Sequence, residues 1–186
     1  MWKTFLWGIV GDCGRKCILL HNNYRRSIEM EPLIGEFECK LDSKGRMVVP
    51  ASLKRQLPDV ERLGLVVNRG FEKNLVIYTR EEWNKKMAQL SSLNQYNPKT
   101  RNFIRMFMRG ATELTLDAAG RVLLPKSLLE YANIQGEVFL QCQMDQIEVW
   151  AKEEYEALME AGFDEGFSEL AQEVMGNFNF GGMPNE

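Results

Sequence analysis

Histidine is nearly absent from this chain of 186 residues, which has only His21, and cysteine is scarce, with Cys13, Cys17, Cys39 and Cys142 at irregular spacing. The side chain most used for proton transfer near neutral pH is therefore all but missing. No Gly-x-Ser-x-Gly, phosphate-loop or His-Glu-x-x-His pattern occurs, so acyl-transfer, nucleotide-dependent and zinc-hydrolase chemistry find no anchor. The cysteine spacing fits neither a disulfide framework nor paired zinc knuckles, which predicts reduced thiols and a cytosolic setting. Cys13, Cys17 and His21 would share one helix face, but a fourth ligand is wanting, and they are read as tail residues. No metal, cofactor or small-molecule substrate is expected. Apolar runs never approach the roughly 18 residues of a membrane span. The short run from Phe5 to Val10 is soon followed by Asp12, Arg15 and Lys16 without a cleavage pattern, so a secretory signal is not expected.

What is present is an ordinary globular composition, 45% hydrophobic and 26% charged, on a chain long enough for one hydrophobic core. The net charge of -3 conceals a strong asymmetry. From Glu36 to Gly110 there are 15 Lys and Arg against 8 Asp and Glu, whereas Ala111 to Glu186 has 3 against 15. A polyanion would meet the first half, and the acidic second half would face protein or water. Chance and solvated helix faces are the plainer explanation of the same numbers.

The strongest signal is an internal duplication. Phe37-Glu-Cys-Lys-Leu-Asp42-Ser-Lys-Gly45-Arg46-Met-Val-Val-Pro50 lies over Leu114-Thr-Leu-Asp117-Ala-Ala-Gly120-Arg121-Val-Leu-Leu-Pro125, with Asp, Gly, Arg and Pro matching at one offset. Leu53 falls on Leu128, and after a shorter middle loop Leu75 to Tyr78 falls on Ile147 to Trp150 and Trp83 on Tyr155. Within each copy, period-two alternation through Phe37, Cys39 and Leu41, or through Leu114 and Leu116, predicts a half-buried strand. Asp followed three residues later by Gly is turn chemistry, the carboxylate accepting a backbone N–H and Gly taking a positive φ. Met47 to Val49 and Val122 to Leu124 read as short, continuously apolar strands. Pro50 and Pro125 suit the first position of a short helix, over Ala51 to Leu57 and Lys126 to Tyr131. A second hairpin, turning near Lys73-Asn74 and Asp145-Gln146, then leads into a helix bearing Trp83 or Tyr155.

Thr79 with Glu82 is a capping-box signature, and Trp83, Met87 and Leu90 recur at helical spacing. Asn97-Pro98 restarts the chain as a second helix. There Arg101, Arg105 and Arg109 line one face, available to phosphate or simply solvated. Beyond Tyr155 the chain reads as acidic helix with an apolar stripe of Phe163, Phe167, Leu170 and Val174, and from Asn177 onward as a loose tail.

The two motifs in tandem, GEFECKLDSKGRMVVP and ELTLDAAGRVLLP, resemble those of the MraZ family of bacterial transcriptional regulators, over residues 33 to about 160. The resemblance implies a mixed β/α fold: a pseudo-two-fold, swapped-hairpin AbrB-like β-barrel built from two tandem repeats with flanking helices. It divides the chain into an N-terminal extension (1–32) outside the fold, a first AbrB-like module (33–83), a helical linker (84–110), a second module (111–155) and an acidic C-terminal helix and tail (156–186). The extension is not part of the family pattern, and Met30 is a candidate natural start. Membership implies a ring-like homo-oligomer, cytoplasmic and nucleoid-associated, that binds double-stranded DNA at promoter direct repeats. It also implies repression of the division and cell-wall operon containing its own gene. Carried over residue by residue, the DNA-facing motif falls on Asp42, Lys44, Gly45 and Arg46, with Gly120 and Arg121 as the weaker equivalent, since Ala118-Ala119 replaces Ser43-Lys44.

In the mechanism this suggests, Lys44 and Arg46 meet DNA, where a guanidinium binds phosphate or grips guanine O6 and N7, while Lys40 and Ser43 support with backbone contacts. Asp42, Asp117 and Gly120 orient the turns. The competing account pairs Arg46 with Asp42 and Arg121 with Asp117 purely to stiffen the turns, and the two are compatible if Asp orients Arg. Two further classes stand against DNA binding. One treats Asp42 and Asp117 as a catalytic carboxylate pair, although their repetition within turn chemistry assigns them structural duty and no catalytic residue is expected. The other is a β-barrel protein-assembly or antitoxin-like module that never reads DNA.

Overall fold

The computed structural model describes residues 31–57, 59–164 and 166–176. Expectations for Cys13, Cys17, His21 and a start at Met30, and for the tail from Asn177 onward, lie outside the described residues.

The first repeat begins as its alternation requires. In β1 (Glu36–Lys40), Phe37 and Cys39 are half-buried against the core while Glu36, Glu38 and Lys40 are exposed. A tight turn leads into β2 (Arg46–Val48), and Pro50 follows at the N-cap of the short helix α1 (Ala51–Gln56). Proline thus stands one place earlier than the first helical position. Its ψ of 137° is still extended, and its carbonyl opens the helix by accepting from the Lys54 N–H at 2.8 Å. A single further turn, α2 (Val60–Leu63), precedes the hairpin of β3 (Leu65–Arg69) and β4 (Leu75–Thr79).

Thr79 then caps α3 (Arg80–Ser91), its hydroxyl accepting from the Glu82 N–H at 3.2 Å. Only half of the capping box forms, because the Glu82 carboxylate pairs with Lys85 at 2.6 Å. Asn97 caps α4 (Pro98–Phe107) by accepting from the Lys99 N–H. The second repeat supplies β5 (Thr112–Leu114), β6 (Arg121–Leu123), α5 (Lys126–Tyr131), β7 (Glu137–Gln143) and β8 (Gln146–Ala151), with α6 (Lys152–Asp164) and α7 (Phe167–Met175) behind it.

Strand pairing exchanges the repeats. The main sheet has the order β1-β7-β8-β4-β3-β5, every neighbour antiparallel, while β2 and β6 form a separate two-stranded ribbon, Met47 of β2 also bridging Leu41. The first repeat's β1 therefore lies on the second repeat's β7, and the second repeat's β5 lies on the first repeat's β3. Exchanging the repeats and reversing the order returns the same sheet, a pseudo-two-fold about the β4–β8 contact. The strands describe an open six-stranded sheet and a separate two-stranded ribbon, not the closed β-barrel expected. The two outer strands, β1 and β5, each run through a tight turn into the ribbon, whose Met47 and Val122 enter the shared core.

Side chains alternate to two cores. Leu65, Val67, Leu75 and Ile77 enter the main cluster with Met47, Val122, Leu53, Leu128, Val138 and Leu140. Val66, Val76 and Tyr78 point the other way, beneath Trp83 and Phe107. This explains why β3 and β4 are buried almost throughout, as expected of strands covered on both faces. Tyr78 and Trp83 lie with ring centres 5.8 Å apart, and their equivalents Trp150 and Tyr155 lie 6.3 Å apart with the two residue types exchanged. At the C-terminal end, Leu170 and Val174 of the expected apolar stripe are uncovered, 54% and 73% exposed. Among the described residues no helix is long and apolar enough to cross a membrane.

Candidate nucleic-acid interface

Each repeat's tight turn is built around one carboxylate. Asp42 Oδ1 accepts from the backbone N–H groups of Lys44 and Arg46, both at 2.9 Å, and Oδ2 accepts from Arg46 Nε at 2.7 Å. The Asp42 carbonyl accepts from the Gly45 N–H at 2.9 Å, and the Asp42 N–H donates to the Arg46 carbonyl at 2.9 Å. Asp117 repeats the scheme with Ala119, Arg121 and Gly120, its Oδ2 lying 2.8 Å from both Arg121 Nε and Nη2. These donors, the Arg46 N–H foremost, hold the Asp42 carboxyl down to about 2, and the same donors in the second turn lower Asp117. The pairing of Asp with Arg is thus present in both turns, and it holds each guanidinium in one orientation without burying it. The Arg46 and Arg121 side chains remain 31% and 33% exposed.

Gly45 and Gly120 both sit at positive φ, 79° and 71°. Gly45 is also cramped: a Cβ there would come within 3.1 Å of Leu129 Cδ1 and 3.3 Å of the Leu124 carbonyl, whereas around Gly120 there is open space. The crowding arises because the turns are stitched across the ribbon. The Leu124 N–H donates to the Gly45 carbonyl and the Val49 N–H to the Gly120 carbonyl, both at 3.0 Å.

The β2–β6 register decides what the outer surface carries. Arg46 stands opposite Leu123, Met47 opposite Val122 and Val48 opposite Arg121. Met47 and Val122 are buried, so Arg46, Val48, Arg121 and Leu123 share the outer face. Arg121, weaker than Arg46 when the turns are compared one by one, therefore stands beside it in one composite surface. The apolar runs read from sequence do form these strands, but they are not buried throughout, since Val48 and Leu123 are each 55% exposed. Three apolar letters in a row cannot show which face of a two-stranded ribbon is covered.

The remaining candidates are distributed unequally. Ser43 and Lys44 are exposed at the tip of the first turn, and Lys44 has no acidic partner among the described residues. With Lys126, Thr112, Thr115, Leu123 and Pro125, Lys44 lines a shallow groove of about 430 Å³ beside β5. Lys40, in contrast, pairs with Glu137 at 2.7 Å, and this hydrogen bond raises its ammonium above the ordinary lysine range. Of the arginine stripe, Arg101 donates to the Gln95 and Tyr96 carbonyls and Arg105 to Asn102, while Arg109 falls beyond the end of α4. No group of three metal-ligating side chains occurs among the described residues, and both turn carboxylates are occupied by their own turns.

Comparison with known proteins matches the family model described as "MraZ protein, putative antitoxin-like" to residues 33–106 and again to 106–178. A protein of Christiangramia forsetii named transcriptional regulator MraZ is 41% identical over 152 residues, covering 81% of this chain and 97% of the relative. Proteins of the same name from Flavobacterium psychrophilum and Cytophaga hutchinsonii are 38% and 36% identical, covering 81% and 76% of this chain and 96% and 93% of theirs.

Proposed function

The chain belongs to the MraZ family, and from that membership we propose that it is a transcriptional regulator that binds double-stranded DNA through the outer face of the β2–β6 ribbon and its two turns. The observation that carries this is the pairing of two carboxylate-held arginines on one exposed surface, next to Lys44, which has no acidic partner among the described residues. A guanidinium fixed by a carboxylate is ready for phosphate or for guanine O6 and N7 without first losing side-chain freedom. Asp42, Asp117, Gly45 and Gly120 act by shaping the turns, and Ser43 adds a hydroxyl at the tip. Lys40 contributes a weaker contact, since Glu137 competes for it.

The exchange of β1 and β5 between repeats supports the swapped-hairpin, AbrB-like reading of the fold. One such ribbon reaches two or three phosphates, and at a salt slope of about -0.9 for each phosphate that is weak binding at physiological salt. A ring-like homo-oligomer engaging direct repeats adds about 10² to 10⁴ through effective concentration. The reading therefore includes self-assembly, a cytoplasmic and nucleoid-associated setting, and repression of the division and cell-wall operon containing its own gene. Its test is binding of wild type and Arg46→Ala to DNA from upstream of that gene, titrated against salt, with oligomer size measured alongside. Steep salt-dependent binding lost in a folded, equally assembled variant supports the reading. Absence of wild-type binding at low salt would transfer the turns to a protein-assembly role.

A further inference from the structure

We propose that Val48 and Leu123 read thymine, each setting its aliphatic side chain against a thymine C5-methyl in the major groove; this rests on the DNA-binding reading above. The two residues occupy equivalent positions in the two repeats and lie on the same outer face of the ribbon, diagonal to one another and directly opposite Arg121 and Arg46. Each is 55% exposed, whereas Met47 and Val122 between them are 1% and 0% exposed on the inner face. A lone surface aliphatic needs no explanation. Two at matching positions, flanked by two arginines that their own aspartates hold in place, form a built surface.

The major groove of B-DNA, about 12 Å wide, admits a two-stranded β-ribbon. Within it the four bases present hydrogen-bonding edges, which an aliphatic side chain cannot satisfy, and one apolar group, the thymine methyl. Val48 and Leu123 thus complement the one feature that the arginines cannot read. The arginines set register through phosphate or guanine, and the aliphatic pair discriminates thymine from the other bases at neighbouring positions.

The experiment compares the fragment upstream of the protein's own gene made with thymine and the same fragment made with uracil, which lacks only the methyl. Wild type, Val48→Ser with Leu123→Ser, and Arg46→Ala are measured on both, with oligomer size checked for each. The expected result is weaker wild-type binding to the uracil fragment, by about fourfold for each buried methyl removed and on the order of tenfold for two. The double serine variant should bind both fragments equally, at the level of wild type on uracil. Equal wild-type binding to both fragments, with Arg46→Ala still inactive on the thymine fragment, would overturn thymine reading and leave DNA binding intact. A double variant that keeps the wild-type preference, or whose oligomer falls apart, would also overturn it. No wild-type binding to either fragment would overturn both readings.

Discussion

Asp42 accepts three donors from its own turn, and its carboxyl is held down to about 2 from an ordinary 3.8. A carboxyl depressed in the folded state contributes stability that is complete above 3.8 and is lost as pH falls towards 2. Asp42→Asn should accordingly be less stable than wild type at neutral pH, and the gap should close across that acidic window; chemical denaturation at a series of pH values measures it. A gap that stayed constant would mean that the carboxylate's charge does not hold the turn. The two glycines divide in a similarly measurable way. Placing an L side chain in the left-handed region costs on the order of 1–2 kcal/mol, which is the expectation for Gly120→Ala. Gly45→Ala should cost more, since its Cβ also meets Leu129 and the Leu124 carbonyl. Equal losses by thermal unfolding would contradict this assignment of the crowding.

The β2–β6 ribbon is the element on which the candidate surface depends, and its two strands of three residues each have little pairing of their own to hold them. What anchors it is the inner face, where Met47 and Val122 sit in the main core. Met47→Ala should therefore cost about 2–5 kcal/mol, as for other large-to-small core changes. Val48→Ala on the outer face should leave thermal stability within about 0.5 kcal/mol of wild type. A comparable loss from both would mean that the outer face is covered. Much of this element was legible from sequence. The turn followed from the Asp and Gly spacing, and the helix behind it from the proline, displaced by only one position. Exposure of Val48 and Leu123 was not legible, because a run of three apolar residues has no period and only the partner strand shows which side is turned to solvent.

At the scale of the whole molecule, the exchange of outer strands makes the two repeats interdependent. A fragment ending at residue 106 would present β1 without β7 and β3 without β5, exposing the edges on which the other repeat normally lies. Expressed alone it should fail to fold as a monomer, either unfolding or pairing with a second copy of itself. A stable, folded monomer in sedimentation and circular dichroism would show that the exchange is not needed for the core.

The sequence by itself determined the local chemistry. Asp, Gly, Arg and Pro at one spacing give a carboxylate-braced turn in both repeats, because the hydrogen bonds that build it join residues no more than four apart. The duplication and the uneven charge were equally open to reading. Tertiary structure alone decided that β1 pairs with the other repeat, that the sheet is open, and that Lys40 turns to Glu137. It also decided that Arg46 and Arg121 lie on one surface with two exposed aliphatic residues between them. These are contacts between residues far apart in the chain, whose register is set by how two faces of one core are shared, and no local spacing encodes that choice.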